Sequence, residues 1–347
     1  LDVGKFIELV TRGAEEVITV EEIKEKLLKK RKLRAYQGFE PSGLGHIGWL
    51  VCVKKLQELI EAGVETIVFL ADWHAYINDK LGGSLENIRT AGEYLREAFE
   101  ALGLKKAKYI YASELVDSSD YWALVLKVAK NSTLARIKRA LTIMGRREDE
   151  AELDFSKLIY PAMQVADIFY MKIDIAYGGM DQRKAHMLAR DIAEKLGIEK
   201  PVALHTPLLP SLQAKGRMDT ADVKMSKSNP EAAVLIHDDP EDVRKKILAA
   251  YCPAKQVDEN PILKLYEYII FRYYNEVTIK RPEKYGGTIT YNNYDDLKKD
   301  FSEGKIHPLD LKENAARYVN EILDPVREYF KENPENYKRV RKLALGS

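Results

Sequence analysis

Through the first two thirds of the chain, short β-rich apolar runs alternate with longer amphipathic segments, the pattern of a parallel sheet covered by helices. Thr19 and Glu22 have capping-box spacing and open a basic helix that is expected to run through Lys32. A strand is expected over 34–39, then a glycine-rich loop and a helix over 46–62 that Gly63 stops. Further strands at 66–70 and 107–111 flank a helix capped by Ser84 and reaching about residue 102. Residues 120–152 read as helices with no strand between them, an insertion into the alternation. A strand at 173–177 leads through Gly178 and Gly179 into a helix at 182–196, and 202–205 is expected to be the last strand. Beyond a polar loop at 213–230, helical periodicity dominates, with Pro240 placed to start a helix. The domain boundary is therefore expected near residue 230.

Composition narrows the class. At roughly 150 residues per domain, 347 residues imply about two domains, each able to bury a core. A content of 46% hydrophobic and 31% charged residues excludes a disordered or fibrous chain. No apolar run approaches the roughly 20 residues that span a bilayer, so no membrane partner is expected. The 55 basic and 54 acidic residues cancel, so a polyanion would have to be met by local clusters, which occur over 24–34, 127–147 and 338–342. Two cysteines, Cys52 and Cys252, make neither a disulfide framework nor a zinc set, and with no secretory pattern at the start of the sequence the expectation is cytoplasmic.

Three segments could carry chemistry. Gly43, Gly45 and Gly48 have GxGxxG spacing between a strand and a helix, where glycines let the backbone approach a phosphate and the helix dipole attracts it. His46 adds an imidazole donor there, and Asp72 at the end of the next strand could pose as a ribose ligand. The segment Lys224-Met225-Ser226-Lys227-Ser228 puts two ammonium groups on a polar loop, suited to closing over a triphosphate or equally to lying solvated. On the helix before the fourth strand, Tyr160, Gln164, Asp167 and Met171 share one face, which periodicity alone reads as solvated surface or as a polar-lined pocket, the former slightly favoured. Gly178-Gly179-Met180-Asp181-Gln182 follows at the carboxyl end of a strand, where Asp181 could accept from ribose hydroxyls or cap the next helix.

Together, His46-Ile47-Gly48, Gly179-Met180-Asp181-Gln182 and Lys224-Met225-Ser226-Lys227-Ser228 resemble the motifs of class I aminoacyl-tRNA synthetases. The segments Tyr36-Gln37-Gly38-Phe39-Glu40-Pro41-Ser42-Gly43, Tyr160-Pro161-Ala162-Met163-Gln164-Val165-Ala166-Asp167 and Lys280-Arg281-Pro282-Glu283-Lys284-Tyr285-Gly286-Gly287 resemble the tyrosyl-tRNA synthetases of the archaeal and eukaryotic type, over about residues 30–325. The resemblance implies an α/β fold: a Rossmann-like parallel-sheet catalytic domain over 1–230 with a connective helical insertion at about 112–172, and a C-terminal α-helical anticodon-binding domain over 231–347. It implies a homodimer formed through the insertion. It also implies L-tyrosine, ATP with its Mg²⁺, and tRNA-Tyr as substrates, with no metal bound by the protein itself.

By the same resemblance, Tyr36 and Asp167 hold the substrate phenol, and Tyr160, Gln164 and Gln182 surround its ammonium group with Glu40. Gly43, His46, Gly48, Gly179, Asp181, Lys224, Met225, Ser226, Lys227 and Ser228 form the ATP site, with His46, Lys224 and Lys227 stabilising the phosphates during attack. Arg139, Arg183 and Lys184 match positions near the tRNA acceptor end, and Tyr285 and Asp310 match the anticodon readers. One departure is Trp49, where the family motif ends in a second histidine; Lys227, where many tyrosyl enzymes have serine, is expected to compensate. A tryptophanyl enzyme, an NAD-dependent dehydrogenase and a catalytically silent RNA-binding relative are the competing readings. The dehydrogenase leaves the lysine loop without a task, and Tyr36 with Asp167 suits a hydroxyl better than an indole.

Overall fold

A computed structural model of the chain describes residues 2–29, 32–145, 154–213 and 233–345. Lys224, Met225, Ser226, Lys227 and Ser228, with Arg146 and Arg147 of the second basic cluster, lie outside the described residues. By contact the chain divides into two compact units: Leu1–Gly43, Lys55–Pro207 and Glu335–Ser347 form the first, Leu44–Lys54 and Leu208–Pro334 the second. By contact, Leu44–Lys54 goes with the second unit and the last helix with the first.

The first unit is built on β1 (Glu16–Ile18), β2 (Arg34–Phe39), β3 (Glu65–Leu70), β4 (Lys108–Tyr111), β5 (Ile175–Gly179) and β6 (Val202–Thr206), in the order β1-β6-β5-β2-β3-β4. All neighbours pair in parallel except β1, which runs antiparallel to β6 with Val17 opposite Leu204. The expected parallel sheet is thus a mixed one, extended by a three-residue strand whose half-buried side chains give no apolar run to read. From β2 the chain builds outward through β3 to β4, then returns to lay β5 against the other edge of β2. The carboxyl ends of β2 and β5 therefore flank a topological switch point, the place where open α/β sheets bind ligands.

Helices α1 (Val3–Thr11) and α2 (Val20–Lys29) precede β2, and the Thr19 hydroxyl caps α2 by accepting from Glu22 N at 3.1 Å. That helix is described as far as Lys29, and Lys32, expected within it, is not helical. Helix α3 (Gly48–Glu61) is closed by Gly63, whose φ of +86° an L side chain rarely adopts. Helix α4 (Asp72–Ile77) leaves β3, and α5 (Leu85–Phe99) is capped by Ser84, which accepts from Asn87 N at 3.3 Å. The insertion between β4 and β5 holds α6 (Ser113–Val116), α7 (Ser119–Lys130), α8 (Leu134–Ala140) and α9 (Phe155–Tyr170). Helix α10 (Arg183–Leu196) joins β5 to β6.

One apolar core of this unit takes Tyr36, Ile67 and Phe69 from the sheet, Tyr121, Val125 and Val128 from α7, Val165 and Ile168 from α9, and Leu188 and Ile192 from α10. Burying such side chains stabilises the unit by about 1.5–3 kcal/mol each, before conformational entropy is set against it.

In the second unit, α11 (Pro240–Ala249) starts at the expected proline, with Asp239 accepting from Glu241 N and Asp242 N at 3.0 and 2.9 Å. Helices α12 (Pro261–Leu265), α13 (Tyr294–Glu303) and the 25-residue α14 (Pro308–Glu332) follow. β6 is not the last strand: β7 (Val277–Ile279) and β8 (Ile289–Tyr291) form an antiparallel ribbon. Helix α14 holds the ribbon by side-chain hydrogen bonds. Asn314 accepts from Lys280 N at 3.0 Å and donates to its carbonyl at 2.9 Å, and Tyr318 Oη accepts from Thr278 N at 2.7 Å.

The last helix, α15 (Glu335–Leu345), lies against α5 within the first unit. Tyr337 stacks on the fully buried Tyr94 with ring centroids 6.5 Å apart, and Asn336 donates to Glu97 at 2.9 Å.

Candidate active site

The polar face of α9 is covered by other elements of the first unit rather than solvated, so the solvated-surface reading of its periodicity does not hold. Tyr160 and Asp167 are buried and Gln164 half-buried, and each meets a group from a different part of the first unit. At one end, Glu40 just beyond β2 accepts from Tyr160 Oη at 2.6 Å, from Asn78 Nδ2 at 3.0 and 3.1 Å, and pairs with Lys80 Nζ at 3.3 Å. In the middle, Gln164 donates to Gln182 Oε1 at 3.1 Å, and Gln182 donates to Asp181 Oδ2 at 3.0 Å and to the Ile143 carbonyl at 3.3 Å.

At the other end, Asp167 accepts from Tyr121 Oη at 2.8 Å and stands 2.9 Å from His74 Nε2. Seven residues of α9 separate Tyr160 from Asp167, about 10 Å along the axis. Two carboxylates thus mark the ends of an elongated, buried polar network.

Protonation follows burial. The Tyr36 hydroxyl on β2 is held well above its ordinary pKa by desolvation and then by the charge of Asp167, which a hydrogen bond with Gln164 partly offsets. Tyr121 and Tyr160 are raised for the same leading reason, reinforced by Asp167 and Glu40 respectively. These phenols are therefore hydrogen-bond donors at any working pH. Burial also raises the Asp181 carboxyl, against the hydrogen bond from Gln182.

Four of these residues are not marked by any motif in the sequence: His74 in α4, Asn78 and Lys80 just after that helix, and Tyr121 from the insertion. A histidine just past a strand's carboxyl end is a weak signal, and Tyr121 has none. Asp72, the alternative ribose ligand, is fully buried and spent on the backbone: its Oδ1 accepts from Trp73 N and Ser113 N at 3.0 Å, and its Oδ2 faces Arg89 Nε at 3.4 Å. Nor does Asp181 cap α10, whose capping position is Gln182.

The glycine loop after β2 opens at Gly43, with φ +134°, and continues into the second unit. There Ile47 N donates to the Val234 carbonyl and Ile236 N to the Gly45 carbonyl, both at 3.0 Å, an antiparallel bridge centred on His46 and Leu235. The chain that follows the lysine segment is thereby hydrogen-bonded to the His46 loop. His46 Nδ1 accepts from Gly48 N at 3.1 Å, which leaves the ring proton on Nε2 as a donor. The glycines are required by packing: a Cβ on Gly48 would lie 2.6 Å from His46 Cε1, and one on Gly45 would lie 2.5 Å from the Trp49 ring. Trp49 therefore lies against the loop.

Gly179 ends β5 and adjoins Asp181. Arg183, exposed at the start of α10, donates through Nε to both oxygens of Glu16 at 3.0 and 2.9 Å. Arg139 on α8 and Lys184 on α10 are exposed. Tyr285 is 60% exposed in the turn after β7, with Lys284 Nζ 4.8 Å from its ring centre. Asp310 lies in the first turn of α14, whose capping residue is His307, accepting from Leu309 N at 3.1 Å.

The sequence family described as tRNA synthetases class I (W and Y) matches residues 28–324. A tyrosine–tRNA ligase of Saccharolobus islandicus (strain M.14.25 / Kamchatka #1) is 51% identical over 356 residues, covering 99% of this chain and 99% of its own. Another, from Sulfolobus acidocaldarius, is 55% identical over 339 residues and 94% of each chain. Among solved structures, tyrosyl-tRNA synthetase complexed with L-tyrosine from Pyrococcus horikoshii superposes with a TM-score of 0.92 at 45% identity, covering 99% of this chain and 100% of that one. The tyrosyl-tRNA synthetase from Aeropyrum pernix gives 0.88 at 46% identity over 100% of both. A buried polar network at the switch point of a Rossmann-like sheet and these full-length identities agree: the chain belongs to the class I tRNA synthetases of the tryptophan and tyrosine kind.

Proposed function

We infer that the chain activates L-tyrosine with ATP, giving tyrosyl-adenylate and pyrophosphate, and then transfers the tyrosyl group to the 3′ end of tRNA-Tyr. The observation that carries the choice of amino acid is the buried Asp167 carboxylate at the far end of the α9 polar network, beside the Tyr36 hydroxyl. An apolar ring without a hydroxyl would leave these groups unpaired at that depth. At the near end, Glu40, Tyr160, Gln164 and Gln182 receive the α-ammonium group, with Lys80 as the counter-charge of Glu40 until the substrate arrives.

No side-chain nucleophile is needed. The tyrosine carboxylate attacks the α-phosphorus of ATP and pyrophosphate departs, so the protein positions the reactants and stabilises charge. Asp181 accepts from the ATP ribose, and the glycines at 43, 48 and 179 let backbone approach the nucleotide. His46 donates from Nε2 to the phosphates, together with Lys224 and Lys227, and Met225, Ser226 and Ser228 belong to the same loop. Mg²⁺ enters as the counter-ion of the ATP phosphates and is part of that substrate.

In the second step a hydroxyl of the tRNA 3′ end attacks the adenylate carbonyl and AMP leaves. Arg139, Arg183 and Lys184 bind near the acceptor end. Tyr285 offers a ring for base stacking, and Asp310 a carboxylate for a guanine Watson–Crick edge. Residues 1–230 carry the chemistry, with the anticodon contacts in 231–347. The insertion at 112–172 forms a homodimer, a reading supported by the exposed Trp122, Leu126 and Tyr170 on α7 and α9. The free cysteines Cys52 and Cys252 suit a cytoplasmic setting.

The test is ATP–pyrophosphate exchange with each of the twenty amino acids. Tyrosine should support it and phenylalanine should be rejected by about 10⁵, a factor general to tyrosyl enzymes rather than worked from this site. Comparable exchange with phenylalanine or tryptophan would sink the assignment.

A further inference from the structure

His74 has no task in the substrate contacts assigned above. It sits in α4 at 2% exposure, its ring edge-on to Tyr160 at 5.0 Å and to Phe69 at 5.9 Å. Its Nε2 faces Asp167 Oδ2 at 2.9 Å, while Tyr121 occupies Oδ1. Oδ1 thus accepts a hydrogen bond from Tyr121, while Oδ2 stands at ion-pair distance from an imidazole that is not aligned for a hydrogen bond, and each oxygen keeps a lone pair for a further donor.

A carboxylate this deeply buried is driven toward protonation unless charge and hydrogen bonds hold it ionised, and only the ionised form gives a phenol a charge-assisted bond. The charged and titratable groups facing the imidazole are Asp167 and Tyr160 on α9, Glu40 beyond β2, and Asp72 on its own helix. Burial alone would lower the imidazole pKa, but the nearby Asp167, with Glu40 and Asp72, outweighs it and holds His74 above its ordinary value.

We propose that His74 is the positioning residue for tyrosine discrimination, its imidazole set beside one oxygen of Asp167 as an ion-pair partner while Tyr121 hydrogen-bonds the other, so that the carboxylate stays ionised and aimed at the substrate phenol. The proposal rests on the tyrosine-activating reading. It predicts that discrimination depends on a residue that itself need not touch the substrate.

The experiment is pyrophosphate exchange with tyrosine and with phenylalanine between pH 6 and 9, on wild type, His74→Leu and His74→Gln. In His74→Leu the tyrosine KM should rise about 10- to 100-fold, the span expected for a weakened buried hydrogen bond to a charged group. The kcat at saturating tyrosine and the ATP KM should stay within about twofold, and phenylalanine kcat/KM should hardly move. The defect should shrink toward pH 9, where the wild-type imidazole loses its own charge, and His74→Gln, which retains an N–H donor, should recover the KM at that end of the range.

Equal losses for tyrosine and phenylalanine, with kcat falling alongside KM and no pH trend, would overturn the role and leave His74 a packing residue. Should His74→Leu fail to fold, ¹⁵N-histidine spectra of the wild type decide: the His74 ring should titrate above an ordinary histidine and shift on adding tyrosine, and an ordinary midpoint indifferent to tyrosine overturns the proposal. Wild-type protein without tyrosine-dependent exchange would instead overturn the activity reading, and the positioning role with it.

Discussion

Acid should destabilise the first unit through one histidine that the fold keeps neutral. His186 on α10 is 1% exposed, with Nδ1 3.0 Å from His205 Nε2 on β6 and the two rings stacked at 14°; His205 Nδ1 lies 2.9 Å from Glu16 Oε2. Burial, and then the proximity of His205, push the His186 pKa down to about 3. In the unfolded chain the same imidazole titrates near 6.5. Below pH 6.5 the unfolded state therefore takes up a proton that the folded state refuses, so the stabilisation is complete above 6.5 and is lost as the pH falls toward 3. The slope is about 1.4 kcal/mol per pH unit, and integrating from pH 8 to pH 5 gives about 2 kcal/mol from this group alone.

The perturbation is His186→Gln, which cannot titrate and still offers an amide to His205. Urea unfolding of wild type and variant at both pH values supplies four free energies from midpoints and slopes. Their double difference cancels titrating groups common to the two proteins. It should show the stability gap between wild type and variant narrowing by about 2 kcal/mol at pH 5, the value already worked from the two pKa values. An unchanged gap would refute the reasoning, because it would mean that His186 is protonated in the folded state or does not titrate independently of its neighbours.

Four further outcomes are expected. Gly48→Ala, whose Cβ would meet the His46 ring at 2.6 Å, should slow adenylate formation at least about tenfold while equilibrium tyrosine binding is unchanged; parallel losses would contradict the phosphate role of His46. Lys227→Ala should lower the rate of tyrosyl-adenylate formation much more than it raises the tyrosine KM, and a change confined to that KM would exclude action on the transition state. Asp310→Ala should impair charging of tRNA with a guanosine-first anticodon and spare exchange. Because His307 caps the helix, its melting temperature should hardly move, and equal loss in exchange and charging would exclude the anticodon role. Leu126→Asp, at a side chain 68% exposed on α7, should convert a dimer to monomers in sedimentation velocity; an unchanged sedimentation coefficient would place the interface elsewhere.

The sequence was legible where a local signal and the tertiary structure agree. The strand Arg34–Phe39 has the expected bounds, and Ser84 and Pro240 open helices where capping chemistry says they should. It was silent where an element is too short to have a period: β1, β7 and β8 have three residues each and exist because a partner strand supplies the hydrogen bonds. The α9 face shows the same limit at the site. Spacing puts Tyr160, Gln164 and Asp167 together, but whether water or protein meets them is decided by β2, α4 and α7, segments tens of residues away. His74 and Tyr121 reach Asp167 from 93 and 46 positions upstream, and no motif marks either.

The return of the chain to α5 has a practical consequence for protein engineering. A fragment cut after residue 207 contains every strand of the large sheet but lacks α15, and so uncovers Tyr94 and leaves Glu97 without Asn336. Such a truncation would present a fresh apolar strip along an outer helix, a route to self-association during expression. A minimal version of this unit is better made by circular permutation: grafting 335–345 ahead of residue 1, or supplying it as a separate peptide, keeps the strip closed. The same arrangement turns the terminal helix into a detachable reporter, since a fluorophore on α15 would register its release from α5 before the sheet itself unfolds.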